Sequence, residues 1–321
     1  MRVTTGVKIH GTKSFRLACS KLLSHYGTNL QNPPPSLLRC ITPDRGYCFV
    51  QVDQAGAESL IVSYLSQPGR YRALIENDIK QHSYVAYHIF PELVDYRSEF
   101  SLIDPARLAI HPDWKPKYAK VIKNSGYKYF LGKKVNHARS YKMKWPTFQL
   151  SVLKDTDGKI ALSSQEAKKF LNTWDELFPE VISWQDEIEH VLNTTRTLYN
   201  LFGYPRVLHE RLNDSLVREA ISWIPQSTVG CNTHQAVIKT SAFINDSNVD
   251  WSILNNKHDS YLTQVPESEA MQAAELMKSH INTEFIGRDG VKFRMKSEAA
   301  VGYNWDKYDK ESNPNGMKEI S

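Results

Sequence analysis

The chain is poor in the residues that would signal a scaffold of disulfides or structural zinc. It has four cysteines, Cys19, Cys40, Cys48 and Cys231, widely scattered and with no C-x-x-C pair. Neither a disulfide framework nor a cysteine-based metal site is suggested, and the usage fits a reducing cytosol. Eleven histidines form no H-E-x-x-H pattern, so a helical zinc-hydrolase site is not indicated. No run of about 18 apolar residues could cross a bilayer, and the N-terminus lacks an apolar signal region. A cytoplasmic protein with no membrane partner is expected. Internal repeats and low-complexity tracts are also missing. The acidic stretch "KDTDGK", 154–159, fails as a calcium loop, because Leu153 and Ser164 fall where its first and twelfth ligands belong; an Asp-Gly turn is the better reading.

What remains is an ordinary soluble composition. The 321 residues are 41% hydrophobic and 23% charged, with sixteen Tyr and seven Trp. That length supports two or three structural lobes. A net charge of +5 is compatible with nucleic acid without demanding it.

Local patterns predict a mixed chain. "YCFVQVD", 47–53, reads as a strand ending in Asp53, and 54–66 turns to helical spacing. Residues 67–130 read as helices broken by prolines at 91, 105, 112 and 116. "SSQE", 163–166, is a capping box, opening a helix that Pro179 ends; a second helix carries Val181, Trp184, Ile188 and Leu192 inward. A helix over 213–225 places Arg218, Ser222 and Gln226 in one polar stripe. A hairpin over 250–265, a helix over 267–283 and a strand near 291–301 follow, and the polar last dozen residues are expected to be loose.

Two aspartates stand at strand ends, Asp53 and, in "KHDSYLTQVP", Asp259. Turn or cap duty is the ordinary reading for each. The sharper reading has neighbouring strands bring them together. Two carboxylates about 4 Å apart repel by roughly 4 kcal/mol at an effective dielectric of about 20, so such a pair needs a shared proton or bound cations. Open oxygen sites of this kind suit magnesium with substrate phosphates, the start of a two-metal phosphoryl-transfer centre.

The order of motifs then resembles the polymerase core of family A DNA polymerases. "SFRLACS" (14–20) with "NLQNPP" (29–34) resembles the family's "TGRLSS…NLQNIP". "VDQAGAESLIVSYLS" (52–66) resembles motif A, "GKKVNHARSYKMKW" (132–145) motif B, and "KHDSYLTQVP" (257–266) motif C. "LFGYPRVL" (201–208), "REAISWIPQSTVG" (218–230) and "SEAAVGYNW" (297–305) are similar to further family stretches. The resemblance implies an α+β right-hand fold, with an antiparallel palm sheet from residues 1–66 and 227–321 and mostly helical fingers from 67–226. It implies DNA synthesis on a primer-template from dNTPs, with two Mg²⁺, or Mn²⁺ in their place, held by Asp53 and Asp259. Glu58 would guard the sugar. Lys133, His137 and Tyr141 occupy the arginine, lysine and aromatic positions of motif B and would meet the nucleotide. Arg16, Asn29, Asn32, Arg218, Gln226 and His258 would face DNA, turn capping being the alternative for Asn29 and Asn32. Lys133, Lys134, Arg139, Lys142 and Lys144 crowd one segment and would face phosphates.

The sequence also departs from the family pattern. His137 stands for a lysine, Lys142 for a glycine, Leu60 for an arginine and Ser260 for a glutamate; Trp145 lies near the usual tyrosine. About a dozen residues precede the "SFRLACS" segment, so neither a thumb nor a 3′–5′ exonuclease is expected. Weak, distributive synthesis follows, with a separate chain or a processivity factor as candidate partner, and a phage or viral source is suggested. A weakened polymerase-like module that binds primer-template or a replication partner is the rival reading. A two-metal nuclease would explain paired aspartates but not NLQN.

Overall fold

The computed structural model describes residues 4–9, 11–20, 29–93, 104–111 and 113–320; Pro112 lies outside them. A short hairpin, β1 (Gly6–Lys8) and β2 (Ala18–Ser20), precedes helix α1 (Pro35–Leu38) and the long strand β3 (Tyr47–Gln54). Helices follow: α2 (Ala57–Leu65), α3 (Arg70–Glu76), α4 (Gln81–Ile89), α5 (Pro105–Ile110), α6 (Ala119–Lys123), α7 (Tyr127–Ser140), α8 (Trp145–Asp155), α9 (Ser164–Leu177) and α10 (Pro179–Asn193). A small hairpin of β4 (Thr197–Tyr199) and β5 (Pro205–Val207) leads into α11 (Asp214–Ser247). Then come β6 (Ser252–Lys257), β7 (Ser260–Pro266), α12 (Ala270–Ile281), β8 (Glu284–Ile286), β9 (Lys292–Arg294), β10 (Ser297–Gly302) and β11 (Lys318–Ile320).

The principal sheet has five antiparallel strands in the order β11-β10-β3-β7-β6. Strand alternation divides β3 between two faces. Cys48, Val50 and Val52 point into a core with Tyr261, Val265, Ala299 and the inward side of α12. Phe49 and Leu262 meet Trp305 on the other face, where Trp305 Nε1 donates to Gln51 Oε1 at 2.7 Å. Asp53 shares that second face.

A separate, larger core lies among the helices and runs from Val62 to Ile224, with Trp114, Trp174 and Trp223 fully buried. The capping box forms as the sequence predicts: Glu166 N–H donates to Ser163 Oγ at 3.1 Å, and Ser163 N–H to Glu166 Oε2 at 2.8 Å. Pro179 does more than end α9, since it is also the first residue of α10, where its missing N–H costs nothing.

Two expectations need correction. The helix read over 213–225 runs on to Ser247, passing Pro225. Burial explains the continuation, because Ser227, Thr228, Val229, Asn232 and Thr233 beyond the proline are enclosed, and the Ser227 and Thr228 hydroxyls donate to the Ile224 carbonyl. The boundary drawn at 226/227 therefore falls inside one helix. The tail is also not loose. Strand β11 closes the sheet edge against β10, and the buried amides of Asn304 and Asn313 exchange hydrogen bonds of 2.9 and 3.1 Å.

Candidate active site

Asp53 is the last residue but one of β3, opposite Ser260 of β7 and Glu298 of β10. Asp259 follows His258 in the two-residue turn joining β6 and β7. His258 takes a left-handed backbone, φ 53°, a conformation uncommon for any residue with a Cβ and recurrent at functional sites. The turn is held from outside. Its Asp259 carbonyl accepts from Gln54 N–H at 3.0 Å, and its His258 carbonyl accepts from Thr233 Oγ1 at 3.0 Å. The residue after Asp53 thus grips the residue that carries the second carboxylate.

Gln54 is 2% exposed and makes a polar knot with α11. Its Nε2 donates to Thr233 Oγ1 at 2.6 Å and to the Val229 carbonyl at 3.2 Å, and its Oε1 accepts from Asn232 Nδ2 at 2.8 Å. Buried amides are tolerated when partnered in this way. Gln54, Asn232 and Thr233 escaped the sequence reading. For Asn232 and Thr233 the signal was a run of small polar residues within the long helix α11.

Both carboxylates act on the same charge balance. Burial, then the charge of Asp259, then that of Glu298 push the Asp53 carboxyl up to about 7, while Lys257 opposes. A carboxylate held against another in this way is short of a cation. Among the described residues no three His, Cys, Asp or Glu could together hold a metal ion. A donor set of two carboxylates suits a cation that completes its shell with water and substrate phosphate, as magnesium does.

In front of Asp259 lies a cavity of about 230 Å³, lined also by Gln54, Glu58, His82, Lys133, Asn136, His137 and Tyr141. Asp53 is not in that lining; its chain neighbour Gln54 is. Two devices shape the cavity. Gly56, with φ +61°, turns the chain from β3 into α2 and so presents Glu58 in the first turn. Gly132 lets α4 and α7 close together, because a Cβ there would meet Ala86 Cβ at 2.5 Å and the His82 carbonyl at 2.8 Å. Glu58 is clamped on both oxygens, Oε1 by Arg16 and Oε2 by the Tyr141 hydroxyl. Lys133 and His137 lie four apart on one face of α7, and Tyr141 is the residue that caps its end. Trp145 instead starts α8, with Lys168 over its ring at 4.9 Å.

His82 is a site residue that the sequence reading missed, since a histidine on a largely apolar helix gives little signal. Its state follows from its neighbours. Trp174 Nε1, a donor only, bonds Asn136 Oδ1 at 3.0 Å. That orients the Asn136 amide so that its Nδ2 donates to His82 Nδ1 at 3.3 Å. Nδ1 must then be bare and Nε2 must carry the proton. Burial, with the charge of Lys133 next, pushes His82 down to about 4. Burial also lowers His137, with Glu58 opposing.

The remaining predicted residues scatter. Arg16 joins the cavity wall through Glu58. His258 flanks Asp259, its titration lowered by burial and by Arg16. Ser222 and Gln226 line a neighbouring open groove of about 320 Å³ with Lys13, Arg206 and Trp223; Arg218, one turn earlier on α11, adds its charge to that of Lys144 in lowering Asp214. Asn29 turns onto its own loop, its Oδ1 accepting from Gln31 N–H at 3.0 Å and from Asn32 N–H at 3.3 Å. Asn32 is exposed. The residue reaching across the fold is Gln31, whose Nε2 donates to the carbonyls of Leu17 and Asn256 at 3.0 and 3.2 Å.

The five-residue basic cluster is corrected too. Of it, only Lys133 lines the cavity. Lys134 pairs with Asp155, Arg139 with Asp175, Lys142 with Asp186 and Glu189, and Lys144 with Asp214. The partners arrive from α8, α9, α10 and α11, which sequence proximity does not reveal. Lys142, at the family's glycine position, has φ 55°. Met143 N–H bonds the Ala138 carbonyl and Lys142 N–H that of Arg139, a left-handed helix ending that usually takes glycine.

Comparison with known proteins agrees with this layout. The curated DNA polymerase I of Caldicellulosiruptor bescii is 22% identical over 316 residues, covering 95% of this chain and 32% of that protein. The chain thus spans about a third of that relative's length. The solved structure described as the POL domain of Pol1 from M. smegmatis in complex with DNA primer-template and dNTP superposes with a TM-score of 0.71 at 18% identity, covering 95% of this chain and 48% of that one. At that identity the likeness is one of fold, α+β with an antiparallel sheet and helical lobe. The sequence model of DNA polymerase family A matches residues 131–307, more than half of the chain and inclusive of Lys133, Tyr141 and Asp259; the chain belongs to DNA polymerase family A.

Proposed function

We propose that this chain performs template-directed DNA synthesis by two-metal nucleotidyl transfer, adding dNTPs to a primer 3′-OH and releasing pyrophosphate. The observation that carries the reading is Asp53 and Asp259 near adjacent strand ends, with Asp259 lining a cavity whose other wall is Glu58, Lys133 and Tyr141. The sheet with residues 1–66 and 227–321 would be the palm, and 67–226 the fingers. Asp53 and Asp259 would hold Mg²⁺ or Mn²⁺, which when bound activates the attacking oxygen and steadies the leaving one. Lys133 supplies fixed positive charge to the polyphosphate, and the His82 Nε2–H is a preset donor beside it. Glu58, immobilised by Arg16 and Tyr141, fills the space a 2′-OH would need, which favours deoxynucleotides. Primer-template DNA would lie over the sheet ends near Arg16, His258 and Gln226. With these palm and fingers surfaces, the 321-residue chain alone should synthesise distributively. A further chain supplying a thumb or exonuclease, or a processivity factor, would lengthen its products.

Extension of a labelled primer tests the reading. Wild type should extend, and Asp259→Asn, equal in size but uncharged, should lose on the order of 10³-fold or more in rate. Equal extension by both would remove Asp259 from the chemistry. One observation favours the rival, a module that binds without turnover: burial keeps His137 neutral where the family pattern has a lysine. Single-turnover extension with Mn²⁺ decides, since the rival predicts no product at any enzyme excess.

A further inference from the structure

Positive charge is concentrated in one stretch. Residues 105–133 contain seven Lys or Arg and one Asp, a net +6 against +5 for the whole chain, so the rest sums to −1. The neighbouring segment, 134–144, neutralises its basic residues with acids from four helices. The earlier segment does not. Lys128 pairs with Glu92, but Arg107, Lys117, Lys120 and Lys123 are exposed and no ion pair joins them to another described residue. The helical turn 114–118 packs on both α5 and α6, and α6 packs on α7, so the elements that carry these cations are contiguous.

Apolar side chains are interleaved with them. Tyr127 is 55% exposed, Ile110 83%. The Tyr127 ring stands edge-on to Phe90 with centroids 6.3 Å apart, which braces it while its outer face stays open. A surface of unpaired cations around a braced aromatic ring matches single-stranded nucleic acid, whose bases are free to stack. A duplex keeps its bases inside and has no use for Tyr127. A lone nucleotide would be held in the cavity at Lys133, about 9 Å further along α7 from Tyr127 at 1.5 Å per residue.

We propose that the exposed region of Arg107, Lys117, Lys120, Lys123 and Tyr127 binds a single-stranded nucleic-acid segment outside the cavity, the lysines on backbone phosphates and Tyr127 under a base. The inference rests on the polymerase reading for the strand's identity, a stretch of unpaired template. Its test needs no catalysis. Fluorescence anisotropy of a labelled oligonucleotide of about 20 nucleotides, without dNTP or metal, is followed across salt for wild type, Lys117→Gln/Lys120→Gln/Lys123→Gln and Tyr127→Ala. Three lost phosphate contacts should flatten the plot of log affinity against log salt by about 2. Losing one stacked base should weaken binding by about fivefold or more. An unchanged slope and affinity would overturn the proposal, as would losses seen only with a blunt duplex. Melting curves of both variants confirm folding. Primer extension separates the two readings: no extension by any protein, with the anisotropy losses intact, sinks only the polymerase reading.

Discussion

The two walls of the cavity are built by opposite strategies. On the sheet side, Asp53 and Asp259 stand on strands in tight register, backed by Gln54, Asn232 and Thr233, and the backing is polar, buried and partnered. The wall is rigid and short of positive charge. On the helical side, Glu58 is clamped by Arg16 and Tyr141, and Lys133 stands with two histidines that burial keeps neutral. That wall varies its charge sparingly, and most basic residues near it are spent on distant acids. Under the proposed function, the difference teaches that the demand for cations would fall on the sheet wall, while the helical wall would select and orient.

The comparison is sharpest at Glu58, where in the proposed function the helical wall would meet the sugar. Glu58→Ala should raise ribonucleotide incorporation relative to deoxynucleotide by about tenfold to a hundredfold, read as the ratio of kcat/KM values. An unchanged ratio would place sugar choice elsewhere. At the back of the sheet wall, Gln54→Ala removes the bonds to Thr233 and Val229 and one of the two acceptors of Asn232 Nδ2, the Ile281 carbonyl remaining, and should cost about 1–3 kcal/mol of stability in a denaturant titration. A smaller loss would mean that the backing is not rigid.

The smallest effect concerns His82. Its folded-state titration is lowered to about 4 from an ordinary value of 6.5. The native state therefore prefers the neutral ring, and this contribution is present above about pH 6.5 and lost as pH falls towards 4. His82→Gln keeps a donor but cannot titrate. Its melting temperature should fall less between pH 7 and 4.5 than that of wild type; parallel curves would show that His82 is not the buried neutral group described.

The sheet wall was the legible one. A β-rich run ending in Asp53 and a hairpin with aspartate at its tip are local patterns, and strand pairing turns them into a site with little help from the rest of the chain. The capping box at Ser163 and Glu166 was legible for the same reason. The helical wall was not. Lys134, Arg139, Lys142 and Lys144 look like a phosphate surface until acids from four helices reach them, and those contacts are tertiary. Asn29 was ambiguous because an amide that caps a turn and one that reads a groove have the same sequence. Gln54 and His82 were overlooked because their roles come from burial and from distant partners, Asn136 lying 54 residues from His82 and Thr233 lying 179 residues from Gln54. The ordered tail was hidden by polar composition, which does not register the Asn304–Asn313 exchange.

The central claim is that Asp53 and Asp259 act together on the same cations. Mn²⁺ binding to the chain with a dideoxy-terminated primer-template and the matching dNTP, followed by the loss of the free-ion electron paramagnetic resonance signal, tests it most directly. Wild type should take up two ions, and Asp53→Asn and Asp259→Asn should each weaken uptake by at least about tenfold. Identical Mn²⁺ uptake by all three proteins would contradict the account.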